Sequence, residues 1–222
     1  MILLPKLQQC RRCPRIVAYI EQLPAKKGYD RSDYHNAPVA GFGDSAARVW
    51  LLGLAPGAHG ANRSGRPFTG DGAGDFMYPL LYQAGFSNQP QASHSDDGLC
   101  LYDLYISNAV KCVPPGNKPT AEEFANCLAF MEQEWRCLKQ VRVIIALGRD
   151  AFMSALRMLR RNGLVNRLAD YPFGHDVCYP LPNGQWLLGS YHTSRYNVQT
   201  GRIDAESFMQ VLQHAQRLRE NG

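Results

Sequence analysis

The chain has 222 residues, of which 45% are hydrophobic and 19% charged, and its formal net charge is +5 at pH 7. This composition is ordinary for a globular protein, and no apolar stretch approaches the length of a bilayer-spanning helix, which excludes a membrane-embedded chain. We therefore expect one domain over residues 1–222, a monomer without membrane contact. The moderately basic balance favours a polyanionic partner.

Apolar runs alternate with helical periodicities along the chain. The runs predicted as strands are Arg48 to Leu54, Leu101 to Ala109, Val141 to Leu147 and Gln185 to Tyr191. Helices are predicted after Asp75, after a capping box of Thr120 and Glu123, from Asp150 to Arg161, and after Asp204. Strands alternating with helices indicate an α/β fold, a three-layer α/β/α sandwich around a mostly parallel sheet with four predicted strands.

A long polar loop follows the first predicted strand. Residues 53–71 contain five glycines and two prolines with polar side chains between them. Glycine lets a backbone approach a ligand closely, and a loop of this length on a buried strand is usually functional. Two further polar segments, Asn108 to Pro115 and Tyr191 to Asn197, also follow predicted strands. Because ligands of open α/β sheets bind outside the carboxyl ends of the strands, we expect the three loops to meet there.

Cysteine spacing indicates a metal site. Cys10 and Cys13 form a C-x-x-C pair, and Cys112 and Cys127 form a wider one, among seven cysteines in all. The odd count and the lack of an apolar N-terminal signal predict a reducing, cytoplasmic setting. Four thiolates suit zinc or a [4Fe–4S] cluster. The wide, proline-containing spacing between Cys112 and Cys127 favours the cluster. A zinc site, or no metal at all, remains an alternative.

The loop motif of residues 53–71, the segment His192 to Asn197 and the cysteine quartet together resemble the uracil-DNA glycosylase superfamily. The resemblance covers Cys10 to Arg202 and is nearest to family 5, the B-type enzymes with an iron–sulfur cluster. It implies a monofunctional glycosylase of prokaryotic base excision repair. Such an enzyme hydrolyses the N-glycosidic bond of uracil, and of deaminated bases such as hypoxanthine and xanthine, in damaged DNA. The implied cluster ligands are Cys10, Cys13, Cys112 and Cys127.

The resemblance also assigns site residues. Those implied in catalysis are Asp71, His192 and Asn117, and those implied in substrate binding are Gly53, Ala55, Pro56, Gly57, His59, Asn62, Phe68 and Asn108. Those implied in DNA binding are Arg63, Lys111, Lys118 and Arg202 at phosphates, and Ser194, Arg195, Tyr196 and Asn197 in a minor-groove wedge. His192 would donate to the departing base, and Asp71 would position water or stabilise the sugar cation.

Two features bear on this chemistry. Ala55 stands where many superfamily members carry a carboxylate or asparagine, so the activation of water shifts to Asp71. No lysine lies in the first or third loop, so no Schiff base and no strand cleavage are expected.

Two other function classes are considered. The alternative is a non-catalytic iron–sulfur or zinc module that binds nucleic acid. Such a module needs the cysteines and basic residues, but not Asp71, His192 and Phe68 together. A phosphate-binding α/β enzyme is disfavoured, because the glycine loop contains neither of the usual phosphate-loop patterns.

Overall fold

The computed structural model describes residues 2, 4 and 6–220 and contains one mixed sheet. Its strands are β1 (Phe42–Gly43), β2 (Val49–Gly53), β3 (Leu104–Asn108), β4 (Val143–Leu147), β5 (Cys178–Pro180) and β6 (Trp186–Ser190). The six strands lie in the order β1-β3-β2-β4-β6-β5. The inner four are mutually parallel, whereas β1 and β5 pair antiparallel at the two edges.

The α/β class and the inner parallel strands are confirmed, but the prediction of four strands was too low, because the sheet has six. The inner strands β2, β3 and β4 are buried at every position, which is why they read as continuous apolar runs. The edge strands β1 and β5 span two and three residues with partly exposed side chains. Such short segments carry no apolar run, so pattern reasoning missed them.

Helices cover both faces of the sheet. They are α1 (Pro14–Gln22), α2 (Ala61–Ser64), α3 (Gly72–Gln83), α4 (Ala121–Cys137), α5 (Arg149–Arg161), α6 (Arg195–Gln199) and α7 (Ala205–Glu220), with 3-10 turns at Arg31–Asp33, Pro115–Asn117 and Leu168–Asp170. Alternate side chains of β2 enter different cores: Val49 and Leu51 pack with residues of α3 and α7, whereas Trp50 and Leu52 pack with residues of α4 and α5. The predicted three layers follow from this alternation.

Helix caps explain where two elements begin. Thr120 and Glu123 form the predicted capping box of α4. The prediction that Asp75 caps α3 was wrong: Asp71 is the cap, and Asp75 lies within the first turn. Both aspartates precede the same apolar stretch, and the path of the loop determines which of them is the N-cap. Among the described residues, no helix is both long enough and apolar enough to cross a membrane.

Candidate active site and cysteine cavity

A cleft of about 380 Å³ opens at the carboxyl ends of β2, β3 and β6. Its lining consists of Leu54, Ala55, Gly57, Ala61, Phe68, Asp71, Gly72, Ala73, Asn108, Asn117, His192, Ser194 and Arg195. The three polar loops predicted to meet at this edge of the sheet therefore do meet, because parallel strands direct their following loops to the same edge.

Phe68 forms an aromatic wall of the cleft in a strained backbone conformation. Its φ of +53° lies in the left-handed region, which is uncommon for a residue with a bulky side chain. Two glycines make this possible. A Cβ at Gly53 would lie only 2.5 Å from the Phe68 ring, and a Cβ at Gly74 would overlap the Phe68 carbonyl oxygen. The ring centroids of Phe68 and His192 are 6.1 Å apart, so the two rings border the same space.

Asp71 joins the glycine loop to helix α3. Its Oδ1 accepts hydrogen bonds from the backbone N–H groups of Ala73 and Gly74, both at 3.1 Å. The other oxygen, Oδ2, faces the loop, where a Cβ at Gly57 would lie 3.1 Å away and one at Gly60 would overlap the carboxylate. One oxygen is therefore fixed at a helix N-terminus, where a negative charge is stabilised, while the carboxylate borders the cleft.

His192 is held on the opposite side of the cleft. Burial lowers the pKa of its imidazole, and the negative charge of Asp71 opposes that shift only in part. The ordinary pKa of histidine is already about 6.5, so the ring is neutral at pH 7. Asn197 Nδ2 donates to the His192 carbonyl oxygen at 2.8 Å and fixes the backbone that carries the ring. A neutral imidazole can donate one hydrogen bond without bringing a positive charge into the cleft.

Two asparagines border the cleft in different ways. Asn108 is buried at the end of β3, and within the described residues its Oδ1 has no hydrogen-bond partner. A buried acceptor without a partner is costly unless a ligand supplies a donor. Asn117 is exposed at the mouth of the cleft, with a φ of +56° that asparagine tolerates better than most residues. Asn108 therefore offers a polar group inside the cleft, and Asn117 offers one at its mouth.

Four predicted substrate-binding residues lie outside the cleft lining: Gly53, Pro56, His59 and Asn62. Gly53 contributes indirectly, because its lack of a side chain leaves space for the Phe68 ring. His59 Nδ1 lies 2.8 Å from the Tyr34 hydroxyl, with which it forms a hydrogen bond. Asn62 is fully buried and its Nδ2 donates to Asn36 Oδ1 at 3.1 Å. Both side chains thus hydrogen-bond within the protein, Asn62 Oδ1 has no partner among the described residues, and a role of either residue in substrate binding stays a prediction.

The predicted DNA-binding residues form the surroundings of the cleft. Arg195 and Tyr196 begin helix α6 beside it, and Tyr196 is 73% exposed. Lys118 is exposed next to Asn117. Arg63 and Arg202 are each stacked on a tyrosine ring at 4.6 Å, which leaves their guanidinium groups in fixed positions at the surface of the loops. Ser194 caps α6 through a hydrogen bond from the Asn197 backbone N–H.

The prediction that Lys111 meets phosphate was wrong. The side chain is fully buried, and its Nζ lies 2.5 Å from Glu134 Oε2 on helix α4. The same carboxylate accepts a hydrogen bond from Ser107 Oγ at 2.9 Å. The pair satisfies two buried charges between the sheet and α4. Its partner is 23 residues away in the chain, so sequence reasoning had no signal for this pairing.

The four predicted metal ligands, Cys10, Cys13, Cys112 and Cys127, line one cavity between the start of α1, the loop after β3 and α4. Burial raises the pKa of the Cys112 thiol, and the nearby thiols raise it further. Burial also raises the pKa of Cys127 to about 11. Two donors already face this sulfur set: the Lys111 backbone N–H at 3.5 Å from Cys127 Sγ, and Asn126 Nδ2 at 3.5 Å from Cys13 Sγ.

The remaining cysteines lie elsewhere, Cys100 and Cys137 being exposed and Cys178 lying on β5. In the part of the chain that the structure describes, no group of three histidine, cysteine or acidic side chains is arranged to hold a single metal ion.

Comparison with known proteins supplies the last observation. A family model described as the uracil DNA glycosylase superfamily matches residues 40–216. A type-5 uracil-DNA glycosylase of Thermus thermophilus is 51% identical over 213 residues, which cover 96% of this chain and 94% of the relative. Type-5 uracil-DNA glycosylases of Mycobacterium bovis and Pyrobaculum aerophilum are each 39% identical, over 94% and 95% of this chain and 78% and 89% of the relatives. The similarity extends over nearly the whole chain.

Proposed function

The chain belongs to the uracil-DNA glycosylase superfamily, and from that premise we propose that it hydrolyses the N-glycosidic bond of uracil in DNA, as its relatives' names state of them. The observation that carries the proposal is the meeting of Asp71, His192, Phe68 and Asn108 in one cleft. A non-catalytic nucleic-acid module would have no need of this set. A glycosylase needs each member for a separate task.

Binding of the base is the first task. A glycosylase rotates its target nucleotide out of the duplex into a pocket, where aromatic faces and polar groups replace the lost stacking and pairing. Phe68 supplies the aromatic face. The unpaired Oδ1 of Asn108 supplies an acceptor for an N–H group on the base edge, which uracil carries. Tyr196 and Arg195, beside the cleft, fill the space that the extruded base leaves in the duplex.

Cleavage of the bond is the second task. Breaking the glycosidic bond leaves negative charge on the departing base and positive charge on the sugar. The neutral imidazole of half-buried His192 donates a hydrogen bond to the base oxygen that gains charge, and such a bond is strengthened when the bound base excludes water from the cleft. The Asp71 carboxylate, fixed by its bonds to the start of α3, stabilises the sugar cation and orients the attacking water. Ala55 adds no group that could take over this role.

The cysteine cavity supports a second part of the proposal, a [4Fe–4S] cluster held by Cys10, Cys13, Cys112 and Cys127. Four thiols, in a described lining that contains no carboxylate, are the donor set that such clusters use. Bound to these four residues, the cluster would link the N-terminal segment to the loop after β3 and to α4. Zinc held by the same residues is the competing outcome, and metal content separates the two.

A base-release assay tests the activity. The protein is incubated with duplexes that carry one uracil, hypoxanthine or xanthine, and abasic sites are revealed by alkali. We expect release of uracil, release of the other two deaminated bases, and no strand cleavage before alkali, because no lysine lines the described part of the cleft. Binding without base release would favour the non-catalytic alternative. Strand cleavage without alkali would contradict the monofunctional mechanism.

A further inference from the structure

A groove of about 490 Å³ lies between helices α4 and α5, and shares no lining residue with the substrate cleft or the cysteine cavity. Its floor is apolar and includes Phe124, Ala125, Leu128 and Met131 of α4. Arg157, Arg160 and Arg161 of α5 stand along its rim. We refer to this feature as the α4–α5 groove. None of the residues that line this groove has a role in the proposed glycosylase reaction.

One of the three rim arginines is paired with a carboxylate, and the other two are not. Arg161 pairs with Glu132, with Nε 3.3 Å from Oε1. Within the described residues, no carboxylate lies within ion-pair distance of Arg157 or Arg160, although both side chains are exposed at the groove. The Arg157 guanidinium stands over the Phe124 ring, 5.8 Å from its centroid, so its charge is placed directly beside the apolar floor.

The combination of floor and rim selects one kind of occupant. Nucleic-acid phosphates would pair with the arginines but would leave the accessible apolar surface of Phe124 and Leu128 uncovered. A segment with both carboxylates and apolar side chains satisfies both parts at once, which is how helices and short peptides bind apolar grooves. A volume of this size lies within the range of about 300–1,000 Å³ that is typical of ligand pockets, enough for a few apolar side chains.

We propose that the α4–α5 groove binds a short acidic, amphipathic segment of a partner protein. Apolar side chains of the segment enter the floor around Ala125 and Leu128, and its carboxylates pair with Arg157 and Arg160. The proposal is independent of the glycosylase reaction. It concerns recruitment of the protein, not its chemistry.

Binding of a designed peptide to the full chain tests the proposal. The probe is a fluorescently labelled peptide with aspartate and glutamate along one helix face and leucine and phenylalanine along the other. We expect saturable binding that weakens about tenfold or more in the double variant R157E/R160E. Ala125→Phe, which fills the floor without changing charge, should weaken binding to a similar degree.

Matched controls separate a specific groove from general charge attraction. The double variant R136E/R217E makes the same change in net charge at exposed residues in the last turns of α4 and α7, outside the groove. It should bind the peptide as the unmodified protein does. Uracil release and thermal unfolding are measured for every variant, and unchanged values show that the fold and the cleft are intact.

Three results would overturn the proposal. One is absence of saturable peptide binding to the unmodified chain. Another is equal weakening in R157E/R160E and R136E/R217E, or no effect of Ala125→Phe, because either would reduce the interaction to net charge. The third is displacement of the peptide by an undamaged duplex together with loss of duplex affinity in R157E/R160E, which would make the arginine rim a DNA contact.

Discussion

The substrate cleft and the cysteine cavity differ in what keeps them in shape. The backbone shapes the cleft: Asp71 accepts hydrogen bonds from two main-chain N–H groups, and Phe68 packs against two glycines at which an added Cβ would clash with its ring or its carbonyl oxygen. The cavity is lined by four thiols, and burial raises the pKa of Cys112 and of Cys127, which disfavours the thiolate forms of these two residues that a metal would need. The cleft is shaped by the chain alone, whereas the proposed cluster would complete the cavity.

The largest effect expected from this difference is on stability. Cys127→Ser removes a buried cysteine of α4 that we propose as a cluster ligand, whereas Cys137→Ser changes an exposed cysteine of the same helix. We expect Cys127→Ser to lose iron and to unfold at a temperature lower by about 10 °C or more, because loss of a structural metal is among the most destabilising changes. Cys137→Ser should keep about four irons per chain, the number in a [4Fe–4S] cluster, and the original melting temperature.

Iron analysis, visible absorbance and thermal unfolding measure this. Iron retained at full stoichiometry in Cys127→Ser would contradict the ligand assignment. Zinc without iron in anaerobically purified protein would contradict the cluster and indicate a zinc site instead.

The next effect is on chemistry at the preorganised cleft. His192→Ala and Asp71→Asn should each slow single-turnover uracil excision by about a hundredfold, the usual magnitude for a catalytic hydrogen bond or charge. Asparagine is also a good N-cap, so Asp71→Asn should keep the melting temperature of the parent protein. Affinity for a duplex with an abasic site should change little in both variants. Excision at the parent rate in Asp71→Asn would remove Asp71 from the mechanism.

A smaller effect is expected for alanine substitutions at two glycines in the first turn of α3, Gly72 and Gly74. A Cβ at Gly74 would overlap the Phe68 carbonyl oxygen, whereas a Cβ at Gly72 would meet only the flexible Arg195 side chain at 3.0 Å or more. We expect Gly74→Ala to cost about 1–3 kcal/mol of unfolding free energy and to slow excision, as overpacking against backbone does. Gly72→Ala should be nearly neutral in chemical denaturation. Equal losses would show that the Phe68 carbonyl is not the constraint.

The smallest effect concerns pH. Because burial lowers the pKa of His192, the unfolded chain takes up a proton at higher pH than the folded chain does. Stability from this residue is therefore complete above about pH 6.5 and decreases as the pH falls toward the lowered pKa. We expect the melting temperature of His192→Gln to decrease less between pH 6.5 and pH 5, values that bracket the ordinary histidine range, than that of the parent. Loss of excision as the pH rises through the ordinary histidine range would indicate a protonated catalytic histidine and contradict the neutral donor.

Local patterns predicted some features of the site better than others. The loop that carries Phe68 and Asp71 was visible as a polar, glycine-rich insertion after an apolar strand, and the cleft lies there. Asn62 and His59 stand in the same loop and share its polar character, yet neither lines the cleft, and Asn62 is fully buried. The direction of a side chain in an irregular loop depends on φ and ψ at several successive residues. No spacing rule encodes that.

Charge was the least informative signal at the level of single residues. Lys111 and Lys118 are close in sequence and have the same side chain, but one is fully buried against Glu134 and the other is exposed. A lysine becomes a buried partner only when a carboxylate from another element reaches it. The strand–helix packing that brings Glu134 to Lys111 is a long-range contact.

The inner strands, the main helices and the loop that forms the cleft could be predicted from the residues alone, because they rest on short-range periodicity and glycine content. The spacing of the two cysteine pairs also indicated their common role. Tertiary packing, in contrast, sets the edge strands, the cap at Asp71, the burial of Asn62 and Lys111, and the groove between α4 and α5. Each of these depends on which distant segment packs against the residue, and packing sets burial, charge pairing and free space together.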